Sequence, residues 1–374
     1  GVQTCALPIY MSEDIDKHVT RKYEVGQRIG KGAYGIVWKA KDKLTKETVA
    51  LKKIFDAFQN ATDAQRTFRE IMYLQELVDH ENIVKILNVL RADNDRDIYV
   101  VFDYMETDLH AVIRANILED IHKRYIMYQL FKSLFYMHTA ELVHRDMKPS
   151  NILLNSECLM KVADFGLARS IAALEKEAGG AAPVLTDYVA TRWYRAPEIL
   201  VGSVRYSKPV DMWSCGCILA ELLGGKPLFP GSSTMNQLDK ILEVVGRPNQ
   251  EDLDSLKSSF AQTMIDSLPP GKVKAMESLF PSAPAEALDL LKKLLVFNPS
   301  RRLSAQEALA HPYVAQFHNP SEEPRCNRII KIPIDDNVKY SITDYRERLY
   351  AEVVRRKKEI RRRYKTKVGE KGGK

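Results

Sequence analysis

A small β-rich lobe followed by a larger, mainly α-helical lobe is the α+β architecture that this 374-residue chain predicts. Three observations carry the prediction. Alternating apolar and polar runs, split by a glycine-rich turn, crowd into residues 23–53 and read as a meander of strands. Helical spacing then takes over, clearest in residues 121–139, where Ile121, Tyr125, Tyr128, Leu130, Phe131, Leu134 and Phe135 recur on one side. The length exceeds one typical domain and suggests two compact units.

Chemistry centres on His144-Arg145-Asp146-Met147-Lys148-Pro149-Ser150-Asn151, which lies between two apolar runs and precedes Asp164-Phe165-Gly166. This order supplies a carboxylate for a substrate hydroxyl, an amide for a metal and a second carboxylate for metal-bound phosphates. It reads as a phosphoryl-transfer site. Alone, Asp-Phe-Gly is usually a turn and His-Arg-Asp a surface loop; the order, with strand-like residues 151–154 and 159–163 in between, is what carries weight. These stretches resemble the catalytic and magnesium-binding loops of protein kinases. The resemblance implies a bilobal kinase fold over residues 23–313, with an N-lobe at 23–104, a hinge at 103–106 and a C-lobe at 107–313. It further implies that Asp146 orients the attacking hydroxyl, that Lys148 neutralises the moving phosphoryl group and that Thr191 joins the catalytic set. Asn151 and Asp164 would hold Mg2+, with ATP as co-substrate. His144 reads as a buried scaffold histidine rather than a base.

In chain order, residues 1–10 match no later pattern and read as an extension or assembly scar, within an N-terminal extension at 1–22. The glycine turn at Gly30, Gly32 and Gly35 joins strand to strand, whereas a dinucleotide fingerprint would lead into a helix. It reads as a cover for phosphates, the bland alternative being a plain hairpin. Lys52 follows an alternating strand, and Glu70 lies on a helical pattern with Phe68, Ile71 and Leu74 inward, the expected ion-pair partner. Phe102 reads both as a core aromatic and as the back of a nucleotide pocket, and Asp108 either meets the ribose or caps a helix. By resemblance the full ATP set is Ile29, Gly30, Gly32, Ala33, Tyr34, Gly35, Val37, Ala50, Lys52, Glu70, Phe102, Asp103, Met105, Asp108, Leu153 and Asp164.

Past Asp164 a small-residue stretch at 178–183 precedes Thr186-Asp187-Tyr188, which resembles the dual-phosphorylation lip of mitogen-activated protein kinases. Added phosphates call for arginines, and Arg66, Arg69, Arg145, Arg169, Arg192 and Arg195 are the candidates. The stretch 189–195 resembles the substrate loop of proline-directed kinases, implying Ser-Pro or Thr-Pro substrates. Proline lacks a backbone N–H, so its pocket need not supply an acceptor. Asp211 is expected to brace the catalytic loop and Arg302 to pair with Glu198. Residues 32–40, 53–58 and 62–70 resemble the atypical extracellular-signal-regulated kinase seven/eight group, also called mitogen-activated protein kinase fifteen, which implies autophosphorylation of the lip. Asp187 stands where Glu is usual, Met147 where Leu is usual and Ala163 where many relatives have Cys. An acidic docking groove for basic motifs keeps Glu322 and Glu323 but has Asn319 in place of Asp.

Residues 314–354 read as an extension packing on the kinase, with a helix from Tyr340 to Lys358. Tyr350 to Val353 also fits a short motif for autophagy ubiquitin-like proteins, although helix docking is the simpler reading. Residues 355–374 hold eleven Lys or Arg against Glu359 and Glu370, a net of +9; set against +7 for the chain, the rest carries −2. The tail is expected to be disordered and solvated, then an import signal, and last an acidic-partner or nucleic-acid contact. No run of about 18 apolar residues suggests a membrane span. Cys5, Cys158, Cys215, Cys217 and Cys326 lack metal-ligand spacing and suit a cytoplasmic or nuclear protein, to which the resemblance adds cilium or basal body. The rival class is a kinase-fold scaffold in autophagy or ciliary signalling, against which the intact Lys52, Glu70, Asp146, Asn151 and Asp164 weigh.

Overall fold

The computed structural model describes residues 14–32, 35–178, 191–203 and 207–371. They divide into two compact units. The first takes the chain up to Phe68, Lys85–Tyr104 and the segment from Lys339; the second takes Arg69–Val84 and Met105–Val338.

The first unit is built on an antiparallel sheet of β1 (Tyr23–Gly32), β2 (Gly35–Asp42), β3 (Thr48–Ile54), β4 (Ile86–Arg91) and β5 (Ile98–Asp103), in the order β1-β2-β3-β5-β4. Period-2 patterning sorts its side chains: Tyr23, Ala40, Val49, Leu51, Tyr99 and Val101 close one core with Val19, while Ile36, Trp38 and Phe55 gather in another. The C-terminal helix Ile342–Lys371 belongs to this unit. Its Tyr345 ring lies 5.9 Å from Phe68 and its Tyr350 ring 6.4 Å from Phe58, with Leu349 and Val353 buried. Tyr350 to Val353 therefore sits in a helix docked by its apolar side. The expectation of disorder from residue 355 is corrected, because the helix continues to Lys371. Its residues are mostly strong helix formers, and Arg355 and Arg356 pair with Glu352 while Arg355 also reaches Glu359 at 3.3 Å.

In the second unit the helices Asp120–Thr139 and Pro209–Gly224 are buried over most of their length. Short strands frame the loops: β6 (Thr107–Asp108), β8 (Ile152–Leu154) and β9 (Met160–Val162) form one sheet, and β7 (Leu142–Val143) pairs with β10 (Arg169–Ser170). Buried Gln129 holds β9 against the long helix, since its Oε1 accepts from Met160 N at 2.9 Å and its Nε2 donates to the Cys158 carbonyl at 2.9 Å. Unit membership departs from the contiguous lobes expected from sequence. Residues 69–84 go with the second unit because Val84 N donates to Val162 O at 3.0 Å and Val162 N to Asn82 O at 2.9 Å. No helix among the described residues is long and apolar enough to cross a membrane.

Candidate active site

In the second unit the loop after β7 is set from below by one carboxylate. Asp211, fully buried near the start of helix Pro209–Gly224, accepts the backbone N–H of His144 at 2.9 Å and of Arg145 at 2.8 Å, and meets His138 Nε2 at 3.0 Å. Burial works to raise its pKa, but His138, His144 and the Arg145 N–H outweigh it and hold the carboxyl below the ordinary aspartate value. The braced backbone tolerates strain: Arg145 (φ 72°) and Asp164 (φ 63°) both occupy the left-handed region.

Above this brace, Asp146 Oδ2 accepts from Lys148 Nζ at 2.7 Å and from Asn151 Nδ2 at 3.2 Å, and the same Nδ2 donates to the Asp146 carbonyl at 2.8 Å. Burial pushes the Asp146 carboxyl up, Lys148 pulls it down and the nearby Asp164 charge adds to the rise. With Asn151 Nδ2 engaged, its amide oxygen remains as an acceptor, and it and the Asp164 carboxylate are hard oxygen donors of the type that would hold Mg2+. The main chain links the two, as Ala163 N donates to Asn151 O at 2.9 Å. His144 is the expected scaffold: Nδ1 accepts from Asp146 N at 3.3 Å, so Nε2 is the protonated nitrogen that donates to Ala163 O at 3.1 Å. Its ring meets Phe165 edge-on at 4.8 Å.

The segment after the lip is anchored on the same body. Arg302 holds Glu198 through two bonds of 2.8 and 3.1 Å, as expected. Trp193 Nε1 donates to Gly231 O at 3.1 Å, Arg192 Nη1 to Ser232 O at 2.9 Å and Tyr194 OH to Glu221 at 2.6 Å. Arg192 thus positions the loop. Arg195 lines a small cleft with Arg145 and Asp146. Thr191 is exposed at the start of the turn Arg192–Tyr194 and does not join the Asp146 cluster among the described residues. Thr186 and Tyr188 lie outside the described residues, as do Ala33 and Tyr34.

Of the other arginines, Arg69 and Arg169 both engage Asp336, a residue that sequence reasoning did not single out. Arg145 Nη1 donates to the Leu167 carbonyl at 3.1 Å, and Arg66 stands one turn before Arg69 on helix Ala61–Glu76. Glu70 is buried on that helix. Asp108 caps helix Leu109–Ala115, its Oδ1 accepting from Ala111 N at 2.9 Å, while Met105 is buried and Leu153 half-buried. Glu323 of the expected docking groove is turned inward, accepting from Asn319 N at 3.0 Å beside His318. Glu221 was also missed, although an acid inside the apolar run 215–222 was a visible anomaly.

Within the first unit, strand alternation separates two adjacent lysines. Lys53 is buried, donating to Asp14 O at 2.8 Å with Asp97 at 3.6 Å, whereas Lys52 on the opposite face lies 5.9 Å from the Phe102 ring. Val37 stands opposite Lys52 and Ala50 opposite Phe102, so these expected nucleotide-site residues share neighbouring registers. Ile29 is partly exposed, and Asp103 Oδ1 accepts from Lys85 N at 2.9 Å. Of the three turn glycines Gly35 alone is sterically required: a Cβ there would meet Lys53 O at 2.4 Å, while Gly30 and Gly32 have nothing nearer than 3.9 Å.

The family described as protein kinase domain matches residues 23–314. The chain is 70% identical to extracellular signal-regulated kinase 2 of Dictyostelium discoideum over 352 residues, covering 94% of this chain and 95% of that protein. It is 55% identical to mitogen-activated protein kinase 15 of Xenopus laevis, across 96% of this chain and 61% of that protein. Against extracellular signal-regulated kinase 7 of Drosophila melanogaster the identity is 46%, across 90% of this chain and 37% of that protein.

Proposed function

Because the chain belongs to the protein kinase family, in its mitogen-activated serine/threonine branch, we propose that it moves the terminal phosphoryl group of ATP to Ser-Pro or Thr-Pro sites. We further propose that phosphate on Thr186 and Tyr188, added by the chain itself, raises its activity. The observation that supports transfer is the Asp146, Lys148 and Asn151 cluster on a loop braced by Asp211. A substrate hydroxyl brought to Asp146 is oriented by its carboxylate and gives up its proton there. Lys148, 2.7 Å from Asp146, supplies positive charge beside the transferred group. Mg2+ held by Asn151 and Asp164 would neutralise the phosphates. Since the transition state is loose and highly charged, positioning and fixed electrostatics supply most of the acceleration.

Mass spectrometry after incubation with ATP and Mg2+, beside an Asp164→Ala control, tests this. Phosphate on Thr186 and Tyr188 only in the intact chain is expected. No phosphate in either would point instead to an upstream kinase or a scaffold role, which transfer to a Ser-Pro peptide by an activated sample would separate.

A further inference from the structure

The C-terminal segment gives the second unit a buried anion where the sequence leads one to expect a phosphate. Asp336 is 5% exposed. Its Oδ1 accepts from Arg69 Nε at 2.7 Å, and its Oδ2 lies 2.8 Å from Arg169 Nε, an ion pair without a directed hydrogen bond. Both guanidiniums are themselves buried, so each requires an anion at that place. The neighbouring groups close the same knot. Asn337 accepts from Arg169 Nη2 and donates to Ala173 O at 3.0 Å, while Ser170 N donates to Tyr73 OH at 3.2 Å. Burial and the charges of Arg169 and Arg145 work to lower the Arg69 pKa, and Asp336 opposes them. Three segments thus meet on one carboxylate: the middle of helix Ala61–Glu76, the stretch from β10 into helix Ile171–Ala178 at the root of the lip, and Asp336-Asn337.

We propose that Asp336 is a built-in substitute for the lip phosphate, holding Arg69 and Arg169 in place before any phosphate is present. This rests on the phosphoryl-transfer reading above. A carboxylate carries one charge where phosphothreonine carries close to two, so the substitution is partial. Asp336 sustains a basal arrangement, and a lip phosphate adds to it. It is a positioning residue, acting on the reacting atoms only through the arginines.

The test compares phosphatase-treated wild type, Asp336→Ala, Asp336→Glu and Arg169→Ala for initial rate on a Ser-Pro peptide, each with and without sulfate at matched ionic strength. Asp336→Ala is expected to lower the rate roughly tenfold, because the two arginines lose their shared anion and are held less firmly in place. Sulfate should restore part of that loss in Asp336→Ala, by filling the vacated place between the arginines, but not in Arg169→Ala; Asp336→Glu should stay nearer wild type. An Asp336→Ala protein as fast as or faster than wild type, or a sulfate response equal in all four, overturns the proposal while leaving the transfer reading intact. A phosphatase-treated wild type that transfers no phosphate overturns this proposal, and the transfer reading falls with it only if a lip-phosphorylated sample is equally inactive. Should Asp336→Ala not fold, Asp336→Asn, which keeps the shape and removes the charge, takes its place under the same criteria.

Discussion

Arg302 donates from both terminal nitrogens to the two carboxylate oxygens of Glu198, with both side chains closed off from solvent. The same guanidinium donates to the carbonyls of Pro209 at 2.7 Å and Val296 at 3.1 Å. It therefore joins the helix Pro197–Leu200, which follows the substrate loop, to the start of the helix that carries Asp211. Removing one partner strands a buried charge. Glu198→Gln or Arg302→Gln should each cost about 3–5 kcal/mol, the usual penalty for breaking a buried pair. Urea denaturation followed by tryptophan fluorescence measures it, and a loss under about 1 kcal/mol, the surface-pair range, would show that the pair contributes little.

Asp211→Asn places an amide where two backbone N–H groups and His138 need acceptors. One donor would face another, and the loop carrying Asp146 would lose its brace. A loss of roughly 1.5–3 kcal/mol, the scale of a charge-assisted hydrogen bond, should appear as at least about a tenfold fall in kcat with a smaller change in KM for ATP. Sign follows from the depressed pKa of Asp211: its stabilisation is present above the unfolded aspartate value and is lost as pH falls through the folded one. The variant should lack that acid-side loss, and equal acid sensitivity in both proteins would contradict the assignment.

Gly35 and Gly32 look alike in sequence and differ in space. Gly35→Ala drives a methyl into Lys53 O, which lies in the β3 backbone and has little room to shift. A destabilisation of about 1–3 kcal/mol is expected, the range for overpacking. Gly32→Ala meets nothing nearer than 4.0 Å; it should keep stability and alter only the KM for ATP. Thermal melts of the two proteins decide, and equal midpoints would refute the steric distinction.

Much of this site was legible because its signals are local. Lys52 and Lys53 are sorted by strand alternation alone, and the loop from His144 to Asn151 is one run of consecutive residues. The Asp211 brace and the Arg302 pair were also read, through resemblance, since no local rule links residues so far apart in the chain. What stayed hidden is long-range. Asp336 meets Arg69 across 267 positions, and a lone Asp in a loop has no pattern by which to announce a buried partner. The grouping of residues 69–84 with the second unit is likewise a matter of two backbone hydrogen bonds to Asn82 and Val162 neighbours, which side-chain periodicity does not encode. A charge run suggests disorder in the basic tail, whereas Arg and Lys with Glu at helical spacing also propagate a helix already seeded by Tyr345 and Leu349.

His80 gives the chain a pH limit of its own. It is fully buried, its Nδ1 accepts from Asn82 N at 3.0 Å and its ring lies 4.9 Å from Tyr136. Burial, then the Lys132 charge, push its pKa down from 6.5 to about 4. The folded protein therefore favours neutral imidazole, while the unfolded chain takes up a proton near the ordinary value. Stability from this group is complete above pH 6.5 and drains away as pH falls toward 4. The loss amounts to about 3 kcal/mol at most, taking 1.36 kcal/mol per pKa unit. Denaturation at a series of pH values between these limits should show wild type losing stability more steeply than His80→Gln, by the uptake of close to one proton. Parallel curves for the two proteins would mean that His80 is not the group that sets this limit.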